Sequence, residues 1–148
     1  MATRYGSQKP RIDIYRDGDI DLAERTIKLL EHYGDRPFPW QRDTLYRWMA
    51  QNEDGSWAND NCGLSVARQN GKTWLLRARI IGGMIFLGEN LVYTAHQGST
   101  VDEIKRLVMR FFYDAEPEIR GLLTSEFDKD PRSYDFVELR NGGRCVFR

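Results

Sequence analysis

The order of apolar segments predicts an α/β fold: a parallel sheet flanked by helices, with a β-hairpin at the C-terminal end. Three observations lead there. Cys62–Val66 is a short apolar run that passes through a polar loop into a long apolar segment opened by Gly71-Lys72-Thr73. Asn90–Ala95 repeats the order, a strand-like run followed by a turn and an amphipathic stretch. Asn141-Gly142-Gly143 separates two short alternating segments, which is a hairpin signal. Strand–helix–strand–helix with short loops implies crossover connections, and these favour parallel strands.

Taken in order, residues 1–18 are polar, end in the turn-like Arg16-Asp17-Gly18-Asp19, and are expected to form a loosely packed arm. Asp19 or Asp21 can cap a first helix running to about Tyr33, with Ile20, Ala23, Ile27 and Leu30 at helical spacing. Gly34 ends it, and Asp35-Arg36-Pro37-Phe38-Pro39 is a rigid connection. Proline is favoured at a first helical position, so a second helix is expected from Pro39 to about Asn52, with Trp40, Leu45, Trp48 and Met49 as its apolar positions. The polar stretch Gln51–Asn61 leads into the first strand, Cys62–Val66.

The next helix is expected from Lys72 to about Leu87, ended by Gly88. Gly82-Gly83 inside it calls for close packing or a bend, because glycine weakens a helix relative to alanine. After the strand Asn90–Ala95, His96-Gln97-Gly98 is a turn, and Ser99-Thr100 with Asp102-Glu103 is an N-terminal capping signature. The helix that follows, through about Tyr113, turns Val101, Ile104, Leu107, Val108, Phe111 and Phe112 inward. Pro117–Leu123 reads as a short helix, Thr124–Ser133 as a charged loop, and Tyr134–Arg140 with Arg144–Arg148 as the hairpin strands.

Composition sets bounds. At 148 residues the chain has the length of one domain, or of part of a larger one. Lys+Arg and Asp+Glu are 22 each, so contact with nucleic acid would need a local patch, not a global field. Cys62 and Cys145 lie far apart without metal-ligand spacing, which disfavours a disulfide framework or zinc site. The first residues lack the apolar core of a signal peptide, and no run approaches the length of a membrane span. These features predict a soluble, intracellular chain.

The chemistry concentrates between Val66 and Thr73. A phosphate-binding P-loop has the order strand, loop, helix: backbone N–H groups cradle phosphates, a lysine reaches the β/γ oxygens, and a Ser/Thr hydroxyl takes a magnesium position. On that reading Lys72 is the phosphate lysine and Thr73 the metal-side hydroxyl, and the fold is an incomplete P-loop NTPase-type sheet. The general pattern asks for glycine where this chain has Val66, and Ala67-Arg68-Gln69-Asn70 fills the loop. A solvated basic turn is the other reading of Gly71-Lys72-Thr73. Upstream, Gln41 carries both a donor and an acceptor, the pair that reads adenine N6 and N7, and Trp40 beside it can stack on a base. The alternatives are a surface glutamine and an ordinary core aromatic. P-loop NTPases also need an acidic residue at the end of a buried strand. Phe136-Val137-Glu138 is too short for it, so the expectation is the front of a longer protein rather than a complete enzyme.

With these residues in place, Phe38-Pro39-Trp40-Gln41, Val66–Thr73 and Tyr93-Thr94-Ala95-His96-Gln97 resemble the large terminase subunit of tailed bacteriophages, in the type whose loop reads Arg-Gln-Asn-Gly-Lys-Ser/Thr. The resemblance spans about residues 36–148, making 19–148 the N-terminal portion of an ATPase domain, without its acidic strand and without the nuclease domain. It implies an ATP- and Mg2+-dependent motor that translocates double-stranded DNA into a capsid. That motor would act as a homo-oligomeric ring with the portal protein and the small terminase subunit, in the cytoplasm of an infected bacterium. It also implies an ATP site of Trp40, Gln41, Ala67, Arg68, Gln69, Asn70, Gly71, Lys72 and Thr73. Lys72 and Arg68 would act on the transferring phosphate, and His96 and Gln97 would couple nucleotide state to DNA grip. Arg68 as a salt-bridged loop arginine stays open beside this. So do two other identities, a superfamily-2 helicase-like ATPase and a non-catalytic interaction module.

Overall fold

The computed structural model describes residues 6–124 and 135–148, so most of the expected charged loop, Thr124–Ser133, and the start of the hairpin at Tyr134 lie outside the described residues. The chain divides into two compact units, Met1–Ala78 and Arg79–Arg148, with the division inside one helix.

The first unit is helical. Helix α1 (Asp21–His32) buries Leu22, Ala23, Thr26, Ile27 and Leu30 on one face. Thr26 is tolerated there because its hydroxyl donates to the Leu22 carbonyl at 2.9 Å. The N-cap position falls on Ile20, which has no side-chain acceptor, and Asp19 compensates from one residue earlier by accepting the Asp21 N–H at 2.8 Å. Ile20, expected in the core, is exposed. Gly34 ends α1 with φ +79°, a left-handed conformation open to glycine at little cost. Helix α2 (Pro39–Trp48) stops before the expected Asn52 and packs on α1 through Leu45, with Met49 buried just beyond its end.

The arm is exposed at nearly every described position, as expected of a loosely packed segment, and is tied down at three residues. Arg16 N–H donates to Asn59 Oδ1 at 2.8 Å, Asp13 pairs with Arg47 at 2.5 Å, and the Arg47 guanidinium lies 4.2 Å from the Tyr15 ring centre.

Cys62–Val66 does not form the expected strand. It keeps the alternation of one, with Leu64 and Val66 half-buried and Gly63 and Ser65 exposed, but no described strand pairs with it. Without ladder hydrogen bonds, extended backbone is not a strand.

Helix α3 (Lys72–Leu87) has the expected limits, and Gly88 ends it at φ +61°. In the second unit, Gly83 leaves room beside a two-pronged ion pair, Arg79 to Glu89 at 2.6 and 2.9 Å; a Cβ at Gly83 would overlap both partners. The sheet has order β1-β3-β2, where β1 is Asn90–Tyr93, β2 is Phe136–Glu138 and β3 is Arg144–Phe147. β1 and β3 run parallel with Leu91 opposite Cys145, while β2 and β3 form the antiparallel hairpin with Val137 opposite Cys145. The sheet is therefore mixed, not wholly parallel.

Helix α4 (Gly98–Asp114) buries Val101, Ile104, Val108, Met109 and Phe112 and packs on β2 and β3. It starts earlier than the capping signature implied. Gln97 is the extended N-cap, its carbonyl accepts the Thr100 and Val101 N–H groups, and Ser99 and Thr100 lie inside the first turn. Helix α5 (Pro117–Arg120) is a single turn. Among the described residues no helix is long and apolar enough to cross a membrane.

Candidate functional site

The residues singled out between Val66 and Thr73 form a turn that delivers the chain into α3. Gln69 has φ +60° and Gly71 φ +86°, two left-handed residues within three positions. For glycine this is easy; for Gln69 it costs on the order of 1 kcal/mol. Alternation of this kind lets successive N–H groups converge, the backbone arrangement from which anion-holding nests are built. The start of α3 adds unpaired N–H groups and its positive dipole end. Ala67, Arg68, Gln69 and Asn70 are exposed, while Gly71, Lys72 and Thr73 are half-buried. Lys72 Nζ folds back across the turn and donates to the Val66 carbonyl at 3.3 Å, so the ammonium stands over the loop instead of in open solvent. Among the described residues none forms an ion pair with Arg68.

Gln41 is placed against this loop. It is 2% exposed, its Oε1 accepts the Phe38 N–H at 2.7 Å, and its Nε2 donates to the Gly71 carbonyl at 2.8 Å. The first bond is the N3-to-N-cap half of a capping box. The other half is lacking because phenylalanine has no acceptor. Trp40, beside it, is half-buried.

Sequence reasoning missed a second tie. Asp35 Oδ1 accepts Trp74 Nε1–H at 3.0 Å, and its other oxygen pairs with Arg77. Burial lowers the Arg77 pKa from its ordinary value, yet the adjacent carboxylate keeps a charged partner in place. Trp74 and Arg77 stand one turn apart on α3, so their shared face was visible in the spacing. Their acceptor, far away in a connection, was not.

His96 and Gln97 are exposed and belong to the second unit, where Gln97 caps α4 through its backbone. A cleft of about 280 Å³ lies in the first unit between the arm and α2, lined by Tyr15, Arg16, Asp43, Tyr46 and Arg47 among others. Its α2 residues face away from Gln41, and none of its lining belongs to the loop.

Comparison with known proteins adds nothing to this geometry. No family model, curated protein or solved structure matches the chain.

Proposed function

We infer that this chain is the nucleotide-binding part of a terminase-type packaging motor, an ATP-driven machine that moves double-stranded DNA into a viral capsid. The observation that carries the reading is the turn Arg68–Thr73. It combines two left-handed residues, a lysine held over the loop and a hydroxyl in the first turn of a 16-residue helix. These donors fit a polyphosphate with magnesium. The loop N–H groups and the α3 terminus would hold phosphate oxygens, Lys72 would neutralise charge on the outer phosphates, and Thr73 would offer an oxygen ligand to the metal. Exposed Arg68, without a carboxylate partner among the described residues, is free to meet the terminal phosphate. Magnesium-bound ATP supplies the phosphoryl group whose transfer drives such motors. In the working machine the chain would belong to a ring that meets DNA, the portal protein and the small terminase subunit in the bacterial cytoplasm.

The metal side gives a sharp test. The folded chain is expected to bind ATP more tightly with Mg2+ than with a chelator present. Thr73→Ala should remove most of that difference while leaving the metal-free affinity unchanged. A folded wild-type chain that binds neither form would remove the reading.

A further inference from the structure

Gln41 has two polar groups, and the fold uses both. Reading adenine takes an acceptor for the N6 amino group and a donor for N7, presented together along one open edge. Here Oε1 accepts from Phe38 N–H at 2.7 Å, Nε2 donates to the Gly71 carbonyl at 2.8 Å, and 2% exposure leaves no edge for a base to approach. Swinging the amide outward would strip a buried N–H and a loop carbonyl of these partners together. The neighbouring backbone is shaped around the inward position. A Cβ on Gly71 would stand 2.6 Å from Gln41 Nε2, and the same Gly71 carbonyl also accepts the Trp74 N–H at 3.2 Å, so the amide joins the first turn of α3 directly. Asp35 holds Trp74 and Arg77 from the same connection. The stretch from Asp35 to Gln41 therefore grips the start of α3 at two points, on either side of Lys72 and Thr73.

We propose that Gln41 is a positioning residue that sets the phosphate loop, and that it does not read the nucleotide base. This rests on the polyphosphate reading of the loop. Its consequence is specific: Gln41 contributes equally to binding of any nucleoside triphosphate, and to binding of a triphosphate with no base at all.

The test uses the full chain and three probes with Mg2+: ATP, GTP and inorganic tripolyphosphate. Gln41→Ala is expected to weaken all three by the same factor, about tenfold for one lost buried hydrogen bond, with the ATP-to-GTP ratio unchanged. Gln41→Glu separates positioning from helix capping. Its carboxylate still accepts the Phe38 N–H but cannot donate to the Gly71 carbonyl. If Gln41 positions the loop, this variant loses the same phosphate affinity as Gln41→Ala while α2 keeps its cap. Circular dichroism and urea unfolding establish that each variant is folded at the temperature of measurement. Loss of ATP binding with GTP and tripolyphosphate unaffected would make Gln41 a base reader and overturn the proposal, with the phosphate-loop reading left standing. Unchanged affinity in either variant would overturn it too. A folded wild-type chain that binds none of the probes would overturn both.

Discussion

The two thiols of the chain sit in opposite surroundings. Cys62 is exposed on the segment before the loop, whereas Cys145 is buried in the middle strand of the sheet. Burial pushes the Cys145 thiol up from 9.0 to about 12, only partly offset by a backbone hydrogen bond from Tyr93. In the folded chain it therefore holds its proton after the unfolded chain has lost it. The stability from this site is fully present below pH 9 and falls, by about 1.4 kcal/mol per unit, as pH climbs toward 12. At pH 8 a thiol reagent should label one cysteine in the folded chain and two in denaturant; rapid double labelling without denaturant would contradict the assigned burial. At this scale the geometry of the candidate site was half legible. Gly71-Lys72-Thr73 announced itself because its residues are adjacent in sequence. The surroundings of Asp35 did not, since its value depends on a tryptophan and an arginine brought in from α3. Gln41 was legible as a polar residue of interest, and its orientation was not, because burial of an amide follows from packing rather than from residue type.

Among the elements, α3 is the one whose limits sequence reasoning recovers in full, from Lys72 to the left-handed Gly88. What holds its C-terminal end is a tertiary cap. Asn141, in the hairpin turn, donates from Nδ2 to the Met84 and Ile85 carbonyls at 2.9 Å each, and its Oδ1 accepts the Gly143 N–H at 3.0 Å. Asn141 therefore satisfies two orphan carbonyls of the helix end while bracing its own turn. Gly143 sits so close to α3 that a Cβ would overlap the Met84 backbone, which cannot give way as a flexible side chain would. Gly143→Ala should cost about 1–3 kcal/mol by overpacking, and Asn141→Ala about 1–2 kcal/mol by leaving carbonyls without donors. Gly6→Ala, with open space around it, should change urea stability little. A neutral Gly143→Ala would contradict the close approach. The Asn-Gly-Gly string foretold a hairpin, and its second glycine answers to a helix far away in the chain. Cys62–Val66 and the start of α4 were misjudged for a related reason. Ladder partners and backbone caps are decided by neighbours in space, whereas alternation and Ser/Thr spacing are local.

At the scale of the whole chain, equal numbers of acidic and basic residues leave no bulk field to attract a polyanion, so any phosphate binding rests on local arrangement. That arrangement lies in the first unit, where the connection after α1 grips the start of α3, while the mixed sheet and its hairpin occupy the second. The central claim is that Lys72, held over the turn, is there for phosphate. Calorimetric titration of the purified chain with Mg-ATP, comparing wild type with Lys72→Ala after circular dichroism has established that both are folded, tests it most directly. The wild type is expected to bind saturably and the variant with affinity at least about tenfold lower, 1.4 kcal/mol or more. Equal binding by both proteins, or none by a folded wild type, would contradict it.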